Sequence, residues 1–215
     1  MEDYYRRRAE EYEEIYYRSE LVTQEEIKKI ADTLKEKLKG RGVLEIACGT
    51  GYWTQVLSDT AQSIVATDIA QEMLEIAKRK QYRCPVSFLR EDAYNLSFKD
   101  GSFDGGLANF WFSHIPKSRI DSFLKGFHRV LQSESMILMA DNVYVPGLGG
   151  KLVTKEDDEN TYKLRTLKDR SECLILKNYF SVDELIEIFS KYAKEFGREN
   201  VFYGNRYWCV FYELK

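Results

Sequence analysis

No uninterrupted apolar run in this 215-residue chain approaches the roughly 18 residues that a membrane-spanning helix needs, so no membrane association is expected. No apolar stretch follows the basic triplet Arg6-Arg7-Arg8 either. A secretory leader is therefore not expected, and the expected location is cytoplasmic. Cysteine is sparse and scattered: Cys48, Cys84, Cys173 and Cys209 contain no C-x-x-C pair, and His114 and His128 are the chain's two histidines. That pattern excludes a zinc site of ordinary ligand spacing, so no metal is expected and the thiols read as reduced packing residues. A basic excess is also missing. With 32 Lys and Arg against 35 Asp and Glu, the net charge is −3, which makes nucleic acid an unlikely partner because phosphate neutralisation calls for surplus cations. What remains is 44% hydrophobic and 31% charged, a balance and length that suit one globular domain.

The opening eighteen residues place Tyr5, Ala9, Tyr12 and Tyr16 on one face of a helical pattern. Thr23-Gln24-Glu25-Glu26 reads as a capping box ahead of a second helix, with Ile27, Ile30, Ala31, Leu34 and Leu38 on one stripe and Gly40 as the stop. From residue 43 short apolar runs alternate with helical patterns. Residues 43–47, 63–67, 86–89, 103–108 and 136–140 read as buried strands, and 52–59, 71–80 and 118–131 as helices. Such alternation implies βαβ units, hence an α/β fold in which a doubly wound, mostly parallel sheet is covered by helices on both faces. About 40 residues then separate Asp141 from the next helix cap, Ser181-Val182-Asp183-Glu184, far more than an ordinary connection. This insertion holds Pro146-Gly147, Gly149-Gly150 and a hairpin-like segment from Tyr162 to Leu176. The chain closes on a second hairpin pattern around Gly204-Asn205. The expected organisation is one domain: N-terminal helices forming a lid (1–40), a core (41–141), an insertion on the substrate side (142–180), and a last helix with a C-terminal hairpin (181–215).

The chemically informative stretch is Val43-Leu44-Glu45-Ile46-Ala47-Cys48-Gly49-Thr50-Gly51-Tyr52-Trp53-Thr54. A strand there enters a Gly-x-Gly turn and then a helix, at the carboxyl edge of the sheet where open α/β folds bind ligands. A second strand ends in Asp68, placed to accept the two hydroxyls of a ribose, and a third in Glu91-Asp92-Ala93, where Asp92 can accept from an exocyclic amine of adenine. Three strand ends thus converge on an adenosine. A nicotinamide-dependent fingerprint would need glycine at position 54, where Thr54 stands.

On these motifs the chain resembles the class I S-adenosylmethionine-dependent methyltransferases, with their Rossmann-like seven-stranded sheet. The family's acidic residue followed by alternating glycines stands here as Glu45, Ala47, Gly49 and Gly51, with alanine in place of the usual first glycine. The resemblance implies S-adenosylmethionine as the cofactor and S-adenosylhomocysteine as its product. It implies that Gly49 and Gly51 border the methionine part, Asp68 holds the ribose, Ile69 and Met73 flank the adenine, and Asp92 with Ala93 meets its amine. Tyr12, Trp53 and Asn109 complete the expected cofactor set.

For methyl transfer, the loop after the fourth strand, Asn109 to Pro116, supplies the candidates. His114 is either a general base of ordinary imidazole character or a residue that orients its loop. His128 reads as structural. Trp111, Phe112 and Tyr5 are candidate walls for the acceptor, and Tyr144 and Arg165 are its candidate contacts within the insertion; an Arg can clamp a carboxylate or phosphate, or equally sit on a solvated hairpin face. The implied reaction moves a methyl group to O, N or C of a small molecule. A protein or RNA acceptor, or a non-catalytic module that binds the cofactor, are the alternatives.

Overall fold

The computed structural model describes residues 20–166 and 170–215. The aromatic face of Tyr5, Tyr12 and Tyr16 lies outside the described residues. The first described helix, α1 (Leu21–Lys37), precedes β1 (Gly42–Glu45), α2 (Tyr52–Leu57), β2 (Ser63–Asp68), α3 (Gln71–Ala77), β3 (Val86–Arg90) and β4 (Phe103–Asn109). Then come α4 (Ile120–Arg129), β5 (Leu131–Asn142), the insertion strands β6 (Lys151–Thr154), β7 (Thr161–Thr166) and β8 (Glu172–Leu176), α5 (Val182–Phe189), β9 (Val201–Tyr203) and β10 (Tyr207–Glu213).

Seven strands form one sheet in the order β3-β2-β1-β4-β5-β10-β9. Strands β1 to β5 pair in parallel and β10 runs antiparallel to both neighbours. The order reverses between β1 and β4, so the connections leave those two strands toward opposite faces and open a crevice at their carboxyl ends. The doubly wound Rossmann-like α/β architecture is as expected.

Alternation along the strands explains why both faces are covered. Leu44, Ile46, Ala108, Ile137, Met139, Trp208 and Val210 join one core cluster with Phe123 and Phe127 of α4 and Leu185 and Phe189 of α5. Their chain neighbours Val43, Leu107, Leu138, Ala140 and Cys209 join a second cluster with Ile27, Ile30 and Leu34 of α1 and Leu57 of α2. Successive side chains of a strand point to opposite faces, so a continuous apolar run is what a twice-covered strand requires.

Two local readings differ from expectation. Thr23 does not cap α1: the helix begins at Leu21 with Glu20 as N-cap and no side-chain cap bond. Glu26 is drawn away from a capping role, because its carboxylate accepts from the backbone N–H groups of Asn205, Arg206 and Tyr207 at 2.7, 2.9 and 3.0 Å and so holds the turn between β9 and β10. The expected hairpin from Tyr162 to Leu176 forms as β7 and β8, with Tyr162 opposite Leu176, but an unexpected third strand, β6, joins it in a separate antiparallel sheet of order β6-β7-β8. The box at Ser181 forms as expected: its Oγ accepts from the Glu184 N–H at 3.3 Å, and Glu184 accepts from the Ser181 N–H at 2.7 Å.

Candidate active site

The carboxyl ends of β1, β2, β3 and β4 surround a cavity of about 310 Å³. It is lined by Ala47 and Gly49 after β1, by Asp68 and Ile69 with Met73 after β2, by Asp92 and Ala93 after β3, and by Trp111 and His114 after β4. Nine residues marked out in the sequence therefore meet in one place. Thr67, Ala70, Glu91, Tyr94 and Phe110 line it too and were not anticipated.

The turn after β1 is built from left-handed backbone. Ala47, Gly49 and Gly51 have φ of 53°, 55° and 80°, so the alternation of small residues follows from a conformation that a Cβ disfavours. Alanine at the first position bears a strain of roughly 1–2 kcal/mol. Phe110 is a second site of strain, with φ 57°. A bulky residue held in this region marks a segment over-determined by its surroundings, a feature that clusters at functional sites. Phe110 is fixed by its N–H donating to Ala140 O at 2.7 Å and by stacking on Trp53 at 5.9 Å.

Backbone amides orient the two pocket aspartates. Asp68 accepts from the N–H of Gly49 and the N–H of Ala70, each at 2.9 Å. These two donors fix the orientation of the Asp68 carboxylate at the edge of the cavity. Asp92 accepts from the Tyr94 N–H at 2.9 Å through Oδ1, which sets the turn after β3.

Several expected contacts fall elsewhere. Glu45 is buried beneath the turn and does not line the cavity; its Oε2 accepts from Thr54 Oγ1 at 2.6 Å, and burial pushes its carboxyl up to about 8. Gly51 caps α2 and faces Tyr82 and Ala77. Trp53 lies in the core cluster under α1. Phe112 is completely buried among Phe180, Phe189 and Trp208, so it is a core residue and not a wall for substrate. Asn109, at the end of β4, is buried with neither amide atom hydrogen-bonded and does not line the cavity, whereas Trp111, whose Nε1 is likewise unsatisfied, does.

His114 reaches the cavity but not in the expected electrostatic state. Its Nδ1 donates to Leu176 O at 2.8 Å, which leaves Nε2 as the basic nitrogen of a neutral ring. Burial, reinforced by the charge of Lys177, pushes its pKa down to about 3. The imidazole is therefore neutral across the physiological range. The loop that carries it is held by the insertion: Asn178 donates from N to Ser113 O at 2.8 Å and from Nδ2 to Ile115 O at 2.9 Å. Asp141 accepts from the Ser113 N–H at 2.8 Å and from Lys177 Nζ at 2.9 Å. Asn178 and Asp141 carried no recognisable sequence signal.

Residues 43–134 match the family model for a methyltransferase domain. The chain is similar to curated proteins named demethylmenaquinone methyltransferase. That of Staphylococcus epidermidis is 35% identical over 104 residues, 46% of this chain and 42% of that protein. That of Paenarthrobacter aurescens is 32% identical over 98 residues, 45% of this chain and 38% of that protein. This chain spans less than half the length of these curated relatives. Among solved structures, the DhpI–SAH complex superposes with a TM-score of 0.75 at 24% identity, covering 98% of this chain and 93% of that one. The PH0226 protein of Pyrococcus horikoshii OT3 gives 0.72 at 21% identity, covering 92% of this chain and 93% of that one. These likenesses establish the fold.

The residues present suit an S-adenosyl group. The cavity joins the Asp68 carboxylate, an apolar wall of Ile69 and Met73, and the buried, unsatisfied indole N–H of Trp111 on its β4 side. Buried polar atoms without partners are rare, and a ligand is one of their ordinary explanations. Among the described residues no helix is long and apolar enough to cross a membrane, and no cluster of His, Cys, Asp and Glu is arranged to hold a metal ion.

Proposed function

We propose that this protein transfers a methyl group from S-adenosylmethionine to a small-molecule acceptor. The observation that carries the reading is the convergence of Gly49, Asp68, Asp92 and Trp111 on one cavity at the switch point between β1 and β4, within the matched domain. Bound there, S-adenosylmethionine supplies an electrophilic methyl group on a sulfonium, and the C–S bond breaks as the new bond to the acceptor forms.

The protein's share is binding, alignment and proton management. Asp68 binds the ribose hydroxyls, Ile69 and Met73 enclose the adenine, and Asp92 and Ala93 meet its amine. Ala47, Gly49 and Asn109 border the methionine portion. Trp111 narrows the β4 side and excludes water. His114, neutral and already donating through Nδ1, presents Nε2 as the site that takes a proton from an acceptor hydroxyl or acid. Tyr144 and Arg165 of the insertion contact the acceptor. The curated relatives' names favour a small molecule over a protein or RNA. Their similarity covers under half of this chain, so their own acceptor is not carried over.

Calorimetric titration with S-adenosylmethionine, S-adenosylhomocysteine and NAD tests the reading. The first two should bind and the third should not. Asp68→Ala should weaken S-adenosylhomocysteine binding at least tenfold, because two charge-assisted hydrogen bonds worth about 1.5 kcal/mol or more are lost. Binding of NAD alone, or an unchanged affinity in the variant, would overturn the assignment.

A further inference from the structure

The insertion sheet gathers more positive charge beside the cavity than it neutralises. Lys163 and Arg165, two residues apart on β7, face the same way. Lys163 is 1% exposed, its Nζ donates to the backbone oxygens of Leu148 and Gly150 at 3.2 and 3.0 Å, and it lies 5.0 and 5.8 Å from the rings of Tyr144 and Tyr179. Its donors are engaged in holding the 148–150 turn. Lys177 is consumed as well, by Asp141 at 2.9 Å and Ser113 Oγ at 2.6 Å.

Arg165 is left over. It is partly buried, and among the described residues it has no hydrogen-bond acceptor and no carboxylate within ion-pair distance. Its guanidinium fits into the space left by a missing side chain, since a Cβ on Gly149 would stand 2.6 Å from Nη1 and 3.0 Å from Nη2. Gly149 and Gly150 have φ of 73° and 91°, so the turn is shaped for this approach. The strand that carries Arg165, β7, pairs with β8, which runs into Leu176 and Lys177, the partners of His114 and Ser113 in the cavity-side loop, and the charge of Arg165 is felt at Tyr179, Lys177 and His114. Lys163, Arg165 and Lys177 feel one another's charge, and of the three Lys177 has a carboxylate partner, Asp141.

We infer that the methyl acceptor carries an anionic oxygen group, a carboxylate or a phosphate-type group, and that Arg165 holds it under the Gly149–Gly150 turn beside Tyr179. This inference rests on the methyl-transfer reading. A guanidinium presents a planar fork of donors that matches two oxygens of either group at once. Partial burial strengthens such a contact because water competes less for the fork. Bound this way, the anion is an address label: it fixes one end of the acceptor in the insertion while the reacting atom lies toward His114 and the cavity.

The test uses the full chain saturated with S-adenosylhomocysteine, whose binding is first established by calorimetry. Inorganic phosphate, acetate and neutral acetamide are then titrated separately and followed by ligand-observed NMR. One of the two anions should bind at millimolar concentration or better while acetamide does not. Arg165→Met should weaken that anion at least tenfold, and Arg165→Lys should weaken it less, with S-adenosylhomocysteine affinity unchanged in both as proof that the variants fold. A preference for acetate identifies a carboxylate and a preference for phosphate a phosphoryl group. If neither anion binds, or Arg165→Met binds it as well as the unmodified protein, the inference fails while the cofactor reading stands. If S-adenosylhomocysteine does not bind, the methyl-transfer reading fails and this inference falls with it.

Discussion

Lys177→Met isolates the interaction that ties the insertion to the loop bearing His114. Asp141 is completely buried and is satisfied by three donors, the N–H of Ser113 at 2.8 Å, the N–H of Asn142 at 2.7 Å and Lys177 Nζ at 2.9 Å. Burial alone would raise its pKa. The opposing charges of Lys177 and, to a smaller degree, His114, together with the two backbone donors, hold it below the ordinary value of 3.8. Removing the ammonium leaves a buried carboxylate with no cation, which costs about 3–5 kcal/mol. For a chain of this size each kcal/mol moves the thermal midpoint by roughly 2–4 °C, so the midpoint should fall by roughly 6–20 °C. Lys177→Met with Asp141→Asn, which removes the stranded charge but keeps an oxygen for the Ser113 N–H, should recover at least about 1 kcal/mol. The linkage has a definite sign. A depressed folded-state carboxyl contributes stability that is present above its unfolded value and is lost as pH falls through the folded value. Urea unfolding at pH 7 and at decreasing pH should show that loss in the unmodified protein and a smaller one in Lys177→Met. A single variant within about 1 kcal/mol of the unmodified protein would show that water reaches Asp141 and that the pair does not hold the loop.

Two further perturbations probe the site directly. Glu45 has a folded-state pKa raised from 4.5 to about 8 by burial, so its contribution to stability is full below about pH 4.5 and is lost as pH rises toward 8; Glu45→Gln should flatten the fall in urea-measured stability across that window, and an unaltered slope would refute the assignment. His114→Ala should lower turnover with an acceptor that must lose a proton by ~10² or more while leaving cofactor affinity alone. Because burial holds the imidazole at about 3, the pH–rate profile of the unmodified enzyme should show no inflection near 6.5 from this residue, and finding one that disappears in the variant would contradict its buried geometry.

The sheet was readable from sequence because its signals are local. Strands covered on both faces must be apolar at consecutive positions, as Val43-Leu44 and Leu138-Met139-Ala140 are, and each ends at a residue whose type is set by its turn. The left-handed backbone at positions 47, 49 and 51 demands small residues in alternation, so that turn leaves a written trace. Phe110 leaves none: its φ of 57° is imposed by the packing of Trp53 and Tyr207 around it, against its own preference. Phe112 misled for a related reason. A strand-end loop exposes some side chains and inserts others, and the arrival of Phe180 and Phe189, 68 and 77 positions later in the chain, decided which. Glu26 likewise satisfied the pattern of a capping box, yet three backbone donors at positions 205, 206 and 207 competed for its carboxylate and won.

The division between readable and unreadable residues coincides with a division of labour. Groups proposed to hold the cofactor come from turns immediately after β1, β2 and β3, each a few residues long and fixed by its own backbone amides, as at Asp68 and Asp92. Groups on the acceptor side depend on distant segments meeting. His114 is set by the carbonyl of Leu176, Ser113 by Asn178 and Asp141, and Arg165 by the turn at Gly149. A change anywhere in the insertion therefore alters where His114 points and which charge faces the acceptor, while the cofactor turns keep their geometry. Acceptor choice can diverge on this scaffold without loss of cofactor binding, which is why Asp68→Ala should act on cofactor affinity and Arg165→Met on anion affinity, each leaving the other unchanged.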